Sequence, residues 1–140
     1  MMKAEEIHMT KLTAKGTREL KKWEEKTYSE IQGGPKLTTS TVINSLQGDI
    51  EGEAKLEYLM MYRADGSATC VGLEQVTGRL GDRSGSFVLR HQGKFEAMTA
   101  KASFTVVPGS GTGELKGLRG EGHFATQGQT APYTFDYYFE

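Results

Sequence analysis

The chain has little of what many function classes require. It holds 1 cysteine among 140 residues, so no internal disulfide can form, and Cys70 is expected to be an inert buried thiol in a reducing compartment. The 3 histidines, His8, His91 and His123, stand far apart with no ligand spacing, so no metal site is expected. Neither sign of charge dominates: the formal net charge is −1, which excludes the basic field of a nucleic-acid binder. No apolar run approaches the roughly 20 residues of a membrane-spanning helix. Met1 to Thr10 is polar and lacks the apolar stretch of a signal peptide, so the expectation is a cytoplasmic protein with no membrane partner. A Gly-Lys-Ser/Thr phosphate loop and a Gly-x-Ser-x-Gly nucleophile turn are also missing, which leaves no nucleotide or serine-hydrolase signature.

Glycine, by contrast, is abundant at 18 residues against 3 prolines, a balance that favours many tight turns. Helical periodicity is nearly absent. Thr13 to Thr27 reads as a long strand with an irregularity near Trp23, and Gly33-Gly34-Pro35 separates it from a Thr- and Ser-rich strand, Lys36 to Gln47. In Glu51 to Arg63, Gly52, Ala54, Leu56, Tyr58, Met60 and Tyr62 share one face. Asp65-Gly66, within Ala64 to Ser67, signals a type I′ hairpin into Ala68 to Leu80. Gly81 to Gly85 turns into Ser86 to Ala97, where Phe87, Leu89, His91 and Phe95 lie together. Met98-Thr99 leads into Ala100 to Val107. A glycine-rich corner from Pro108 then precedes strands at Glu114 to Thr126 and Pro132 to Glu140. Eight short-linked strands with one apolar face predict a single all-β domain over 13–140 after a tail over 1–12. Such a chain favours an antiparallel meander closed into a barrel, lipocalin-like in shape.

A small barrel either fills its interior or encloses one small molecule. Trp23, Tyr58, Met60, Tyr62, Phe87 and Tyr137 would supply the apolar and aromatic lining of such a pocket, for a small hydrophobic ligand. Polar groups on apolar faces are the sharper signal, because burying them is costly unless they are partnered. His91 shares a face with Phe87, Leu89 and Phe95, and Glu74 with Cys70, Gly72, Val76 and Gly78. Val71 and Leu73 occupy the opposite face of that strand, and alternation alone leaves open which face is inward. Glu74 is the candidate proton-transfer group, His91 its partner or polariser, and Tyr58 a hydroxyl donor; such chemistry needs no cofactor. The same residues would equally serve as hydrogen-bonding anchors inside a solid, non-catalytic barrel. Apolar residues on both faces, Leu59, Met61, Val71 and Leu73 among them, predict a homo-oligomer, most simply a dimer.

Several runs carry a family resemblance: Gly48 to Glu53, Glu57 to Tyr62, Gly72 to Gly78, Gly85 to Gly93, and Val106-Val107-Pro108-Gly109-Ser110-Gly111-Thr112-Gly113 onward to Gly120. Together they resemble the bacterial domain-of-unknown-function 3224 family. The corner Gly109 to Gly120 is also similar to the glycine turn and Gly-Ala-Arg-Gly element of allene oxide cyclases and dirigent proteins, with Leu118 in place of the alanine. That resemblance implies an eight-stranded barrel, often oligomeric, that steers cyclisation or coupling of hydrophobic molecules without a redox cofactor. It also keeps Glu57, outward by alternation, as a minor candidate.

Overall fold

The computed structural model describes residues 11–140. Most of the expected tail, His8 included, lies outside the described residues. Eight strands follow in order: β1 (Leu12–Glu30), β2 (Lys36–Gly48), β3 (Ile50–Tyr62), β4 (Ala68–Leu80), β5 (Arg83–Glu96), β6 (Thr99–Val106), β7 (Leu118–Ala125) and β8 (Thr130–Phe139). Each pairs antiparallel with the next, and β8 returns to β1 along Leu12 to Glu19, so the sheet closes into a barrel.

Alternation sets the inward face throughout. Ala54, Leu56, Tyr58 and Met60 of β3 are buried, as are Ala68, Cys70, Glu74 and Val76 of β4. Val71 and Leu73 are exposed, which settles the face the sequence left open. In β1 the phase changes partway. Arg18 and Leu20 pair with Leu46 and Asn44, then a bulge at Lys21 lets Trp23 and Glu25 pair with Val42 and Ser40. One extra residue thus keeps Trp23 on the inner face and turns Lys22 and Glu24 outward.

Three connections differ from expectation. Gly66 has φ +86 whereas Asp65 is not in the left-handed region, so Ala64-Asp65-Gly66 is not a type I′ turn. The Gly66 amide donates to Arg63 O at 2.9 Å, and the Asp65 carboxylate accepts the Ser67 amide at 2.9 Å; this is a three-residue loop ending in a left-handed glycine. The β5–β6 hairpin turns at Ala97-Met98, both with positive φ, one position before the expected Met98-Thr99. Gly113–Leu115 forms a 3₁₀ turn instead of opening a strand at Glu114. Its Leu115 side chain is fully buried in the end of the barrel, and the Ser84 and Ser86 amides donate to Glu114 and Thr112 at 2.9 and 3.0 Å.

The interior has two halves. The lower half, closed by Leu115, is a solid core that includes Leu46, Val76, Phe87, Leu89, Phe104 and Phe135. Phe87 stacks on Phe135 with ring centroids 6.2 Å apart. In the upper half, Val42, Leu56, Tyr58, Met60, Ala68 and Cys70 form a smaller cluster. Glycine is required at the boundary by close backbone and ring approach: a Cβ on Gly122 would collide with the Thr134 carbonyl oxygen and lie 2.7 Å from the Phe104 ring, and one on Gly72 would collide with the Glu57 carbonyl oxygen and lie 2.9 Å from Tyr58. Gly122→Ala is therefore expected to cost about 1–3 kcal/mol by overpacking. Denaturant midpoints check this, with Gly128→Ala unsuited as a control because its φ is +70.

Candidate functional site

Three ionisable side chains meet at the boundary between the two halves. Arg18 projects from β1 just below the bulge, Glu74 from the middle of β4, and His91 from the middle of β5. Glu74 and His91 are fully buried and Arg18 nearly so, at 4% exposure. Arg18 Nη2 donates to Glu74 Oε2 in a direct ion pair. His91 Nε2 lies 2.8 Å from Glu74 Oε1, and Asn44 Nδ2 donates to Oε2 at 3.5 Å. Burial alone would raise the Glu74 pKa, but the Arg18 charge and the His91 hydrogen bond more than offset it and hold it at about 2. An ionised carboxylate only accepts, so His91 Nε2 carries the proton of that bond. His91 Nδ1 has no hydrogen-bond partner among the described residues. Its ring packs against Phe104, Phe124 and the edge of Tyr58.

Above this centre lies a cavity of about 130 Å³. Its apolar wall includes Trp23, Val42, Leu56, Met60, Phe95 and Phe124, and its polar lining includes Arg18, Asn44 and Tyr58. Topology explains why space remains here. From Leu12 to Glu19, β1 pairs with β8, and the Leu20 amide still donates to Gln129 O at 3.0 Å, but beyond that point β1 pairs with β2 alone. The β1–β2 ribbon therefore rises past the start of β8, and Leu20, Trp23, Gln129 and Ala131 border the cavity along this parted seam. Trp23 is 40% exposed there although it faces inward. At the rim, Glu25 accepts from Trp23 Nε1 at 3.1 Å, Thr38 Oγ1 at 2.7 Å and Tyr62 Oη at 2.6 Å. Burial raises the Glu25 pKa, and these three donors with Lys36 outweigh that and lower it.

Of the residues singled out from the sequence, Trp23, Tyr58 and Met60 come together on the cavity wall. Tyr62 stands at the rim, bound to Glu25. Glu74 and His91 lie beneath the cavity floor and do not line it, so Glu74 reaches the cavity only through Arg18 and Asn44. Phe87 and Tyr137 belong to the lower core, Phe87 inside it and Tyr137 packed against it, away from the cavity. Glu57 faces outward beside Leu59 and Leu73. Burial raises the Tyr58 pKa well above the usual phenol range, which keeps its hydroxyl protonated as a donor. Burial likewise raises the Cys70 thiol. Among the described residues no group of His, Cys, Asp and Glu is arranged to hold a metal ion, and no helix is long and apolar enough to cross a membrane.

Two side chains of the site, Arg18 and Asn44, escaped the sequence reading. The signal for Arg18 was present in Ala14-Gly16-Arg18-Leu20, a charged residue within an alternating run of small and apolar ones.

The fold and site define a closed eight-stranded antiparallel barrel whose lower half is solid and whose upper half encloses a cavity over a buried ion-paired centre. The family model described as "Protein of unknown function (DUF3224)" matches residues 14–137, and the chain belongs to that family. A crystal structure of a protein with unknown function from the DUF3224 family of Shewanella oneidensis MR-1 is similar to it. That structure shares 33% sequence identity at a TM-score of 0.73, over 94% of this chain and 98% of the other. No curated protein matches.

Proposed function

We propose that the protein binds one compact, largely apolar molecule in the upper cavity, with a polar atom of the ligand seated on Arg18. The supporting observation is the cavity of about 130 Å³, apolar on its walls and guanidinium-bearing at its floor. Apolar cavities of about 150 Å³ take up a benzene-sized ring. Glu74 holds the guanidinium in place, and His91 and Asn44 hold Glu74. Among the described residues Arg18 donates only to Glu74, which leaves further N–H groups for a ligand. An isomerase or cyclase built on this site would use Tyr58, the protonated hydroxyl on the wall, to polarise a carbonyl or epoxide oxygen.

A thermal-shift screen of small aromatic and branched aliphatic compounds tests the binding reading. A ligand that binds only the folded barrel raises the melting temperature by mass action. Hits are expected for the native protein and should vanish in Ala131→Leu, which fills the cavity. Hits that persist in that variant place binding elsewhere and overturn the proposal.

We also propose that the barrel pairs with a second copy through the outer face of β3 and β4. Leu59, Val71 and Leu73 are 52%, 48% and 55% exposed there, with Leu59 directly across from Val71. Glu57 and Arg90 flank this patch, so a two-fold contact can set each against the other's opposite charge. Leu73→Glu is expected to shift the light-scattering mass from dimer to monomer. A native protein that is already monomeric at micromolar concentration contradicts this.

A further inference from the structure

We infer that the ligand of the upper cavity is an anion, a compact carboxylic acid whose carboxylate pairs with Arg18. This rests on the binding reading above and narrows it to a charge class.

Among the described residues the one cation that faces into the cavity is Arg18 at its floor, and no carboxylate lines it. Lys94 and Lys101 border it through their strands only: both are exposed and alternate with Phe95, Ala100 and Ala102, which turn inward, so their ammonium groups stand on the outer wall. The nearby rim carboxylate, Glu25, is engaged by Trp23, Thr38 and Tyr62 on the opposite wall, and it lies outside the cavity lining.

Donor chemistry at the floor points the same way. A guanidinium matches a carboxylate through two parallel N–H bonds, and Glu74 uses only Nη2. Tyr58 lies on the same wall, its hydroxyl kept protonated by burial and set against the Cys70 thiol. Asn44 spends its amide on Glu74 and so supports the floor. Walls of Val42, Leu56, Met60 and Phe95 suit the apolar remainder of such an acid. A cationic ligand would face the Arg18 guanidinium, and a neutral one would leave its spare donors without an anionic acceptor.

Trp23 is the only tryptophan in the chain and lines the cavity, so its fluorescence reports occupancy. The probes are benzoate, benzyl alcohol and benzylamine, each titrated into the full-length protein. Benzoate is expected to bind about tenfold or more tighter than benzyl alcohol, because its carboxylate adds charge-assisted bonds. Its affinity should fall as salt is raised, and benzylamine should not bind. Lys101→Gln, a mild change on the outer wall, should leave both affinities unchanged; loss of benzoate binding in this variant would place the anion outside the cavity and overturn the assignment. Arg18→Lys should weaken benzoate several-fold, its fold checked by circular dichroism. Equal affinity for benzoate and benzyl alcohol overturns the charge assignment while the binding reading stands. Failure of all three probes to perturb Trp23 overturns both.

Discussion

Glu74→Gln is expected to lower the melting temperature by about 10–15 °C, the largest effect of any single substitution in the upper barrel. Glutamine keeps the size of the side chain but removes the charge that compensates Arg18. Breaking a buried ion pair by neutralising one partner costs about 3–5 kcal/mol, because the remaining charge is left uncompensated in a low-dielectric site. For a domain of this length that corresponds to roughly 3–4 °C per kcal/mol. The companion experiment separates stability from function. In Arg18→Met combined with Glu74→Leu both charges vanish together, and apolar pairs of similar volume commonly match or exceed the stability of the ions they replace. The double variant should therefore recover most of the lost melting temperature, with His91 then facing an apolar neighbour. It should no longer prefer benzoate over benzyl alcohol. If it recovers stability and retains that preference, Arg18 is not the ligand anchor. If the single Glu74→Gln change melts like the native protein, the ion pair contributes no stability and its structural reading fails.

The second large effect is an acid limb that belongs to Glu74. Its carboxyl is held at about 2 in the folded protein against an ordinary value of 4.5: burial pushes it up, and Arg18 and the hydrogen-bonded His91 pull it down further. A folded pKa below the unfolded one means that the unfolded chain binds the proton first. The stabilisation is then fully present above about pH 4.5 and is lost as the pH falls toward 2. A shift of this size amounts to about 3 kcal/mol, the same order as the cost of removing the charge by mutation. Denaturant unfolding of the native protein and of Glu74→Gln across this range should give two curves that are well separated at pH 6. They should converge as the pH approaches 2, where the native carboxyl is itself becoming neutral. Glu25 and Asp65, also lowered, bend both curves equally and cancel in the difference. Parallel curves over the whole range would show that Glu74 does not titrate with folding.

Most of the barrel was legible because its strands alternate cleanly and its turns are marked by glycine. β4 runs from Ala68 to Leu80 as read, and β2 and β3 differ by a residue at their ends. The connection at Gly113–Leu115 was not legible as a plug, since alternation cannot distinguish a strand from a short turn that buries one leucine. The site was half legible. Glu74 and His91 stood out because a polar residue on an apolar face is rare. Arg18 was hidden among the many lysines and glutamates of β1, and the bulge at Lys21 breaks the phase that would have set it beside Trp23. Phe87 and Tyr137 illustrate a different limit. Period-two patterning places a side chain inside or outside the wall, but not at a height along the barrel axis. Only the register between strands shows that these two belong to the solid lower half.

The most direct test of the cavity above Arg18 as a small-molecule site is an anomalous map from a crystal soaked in 4-bromobenzoate. Expected is one bromine peak in the upper barrel between Trp23, Met60 and Phe95, with the carboxylate directed at the Arg18 guanidinium and Glu74 still paired behind it. An upper cavity without ligand density, or bromine found only on the outer surface, would contradict it.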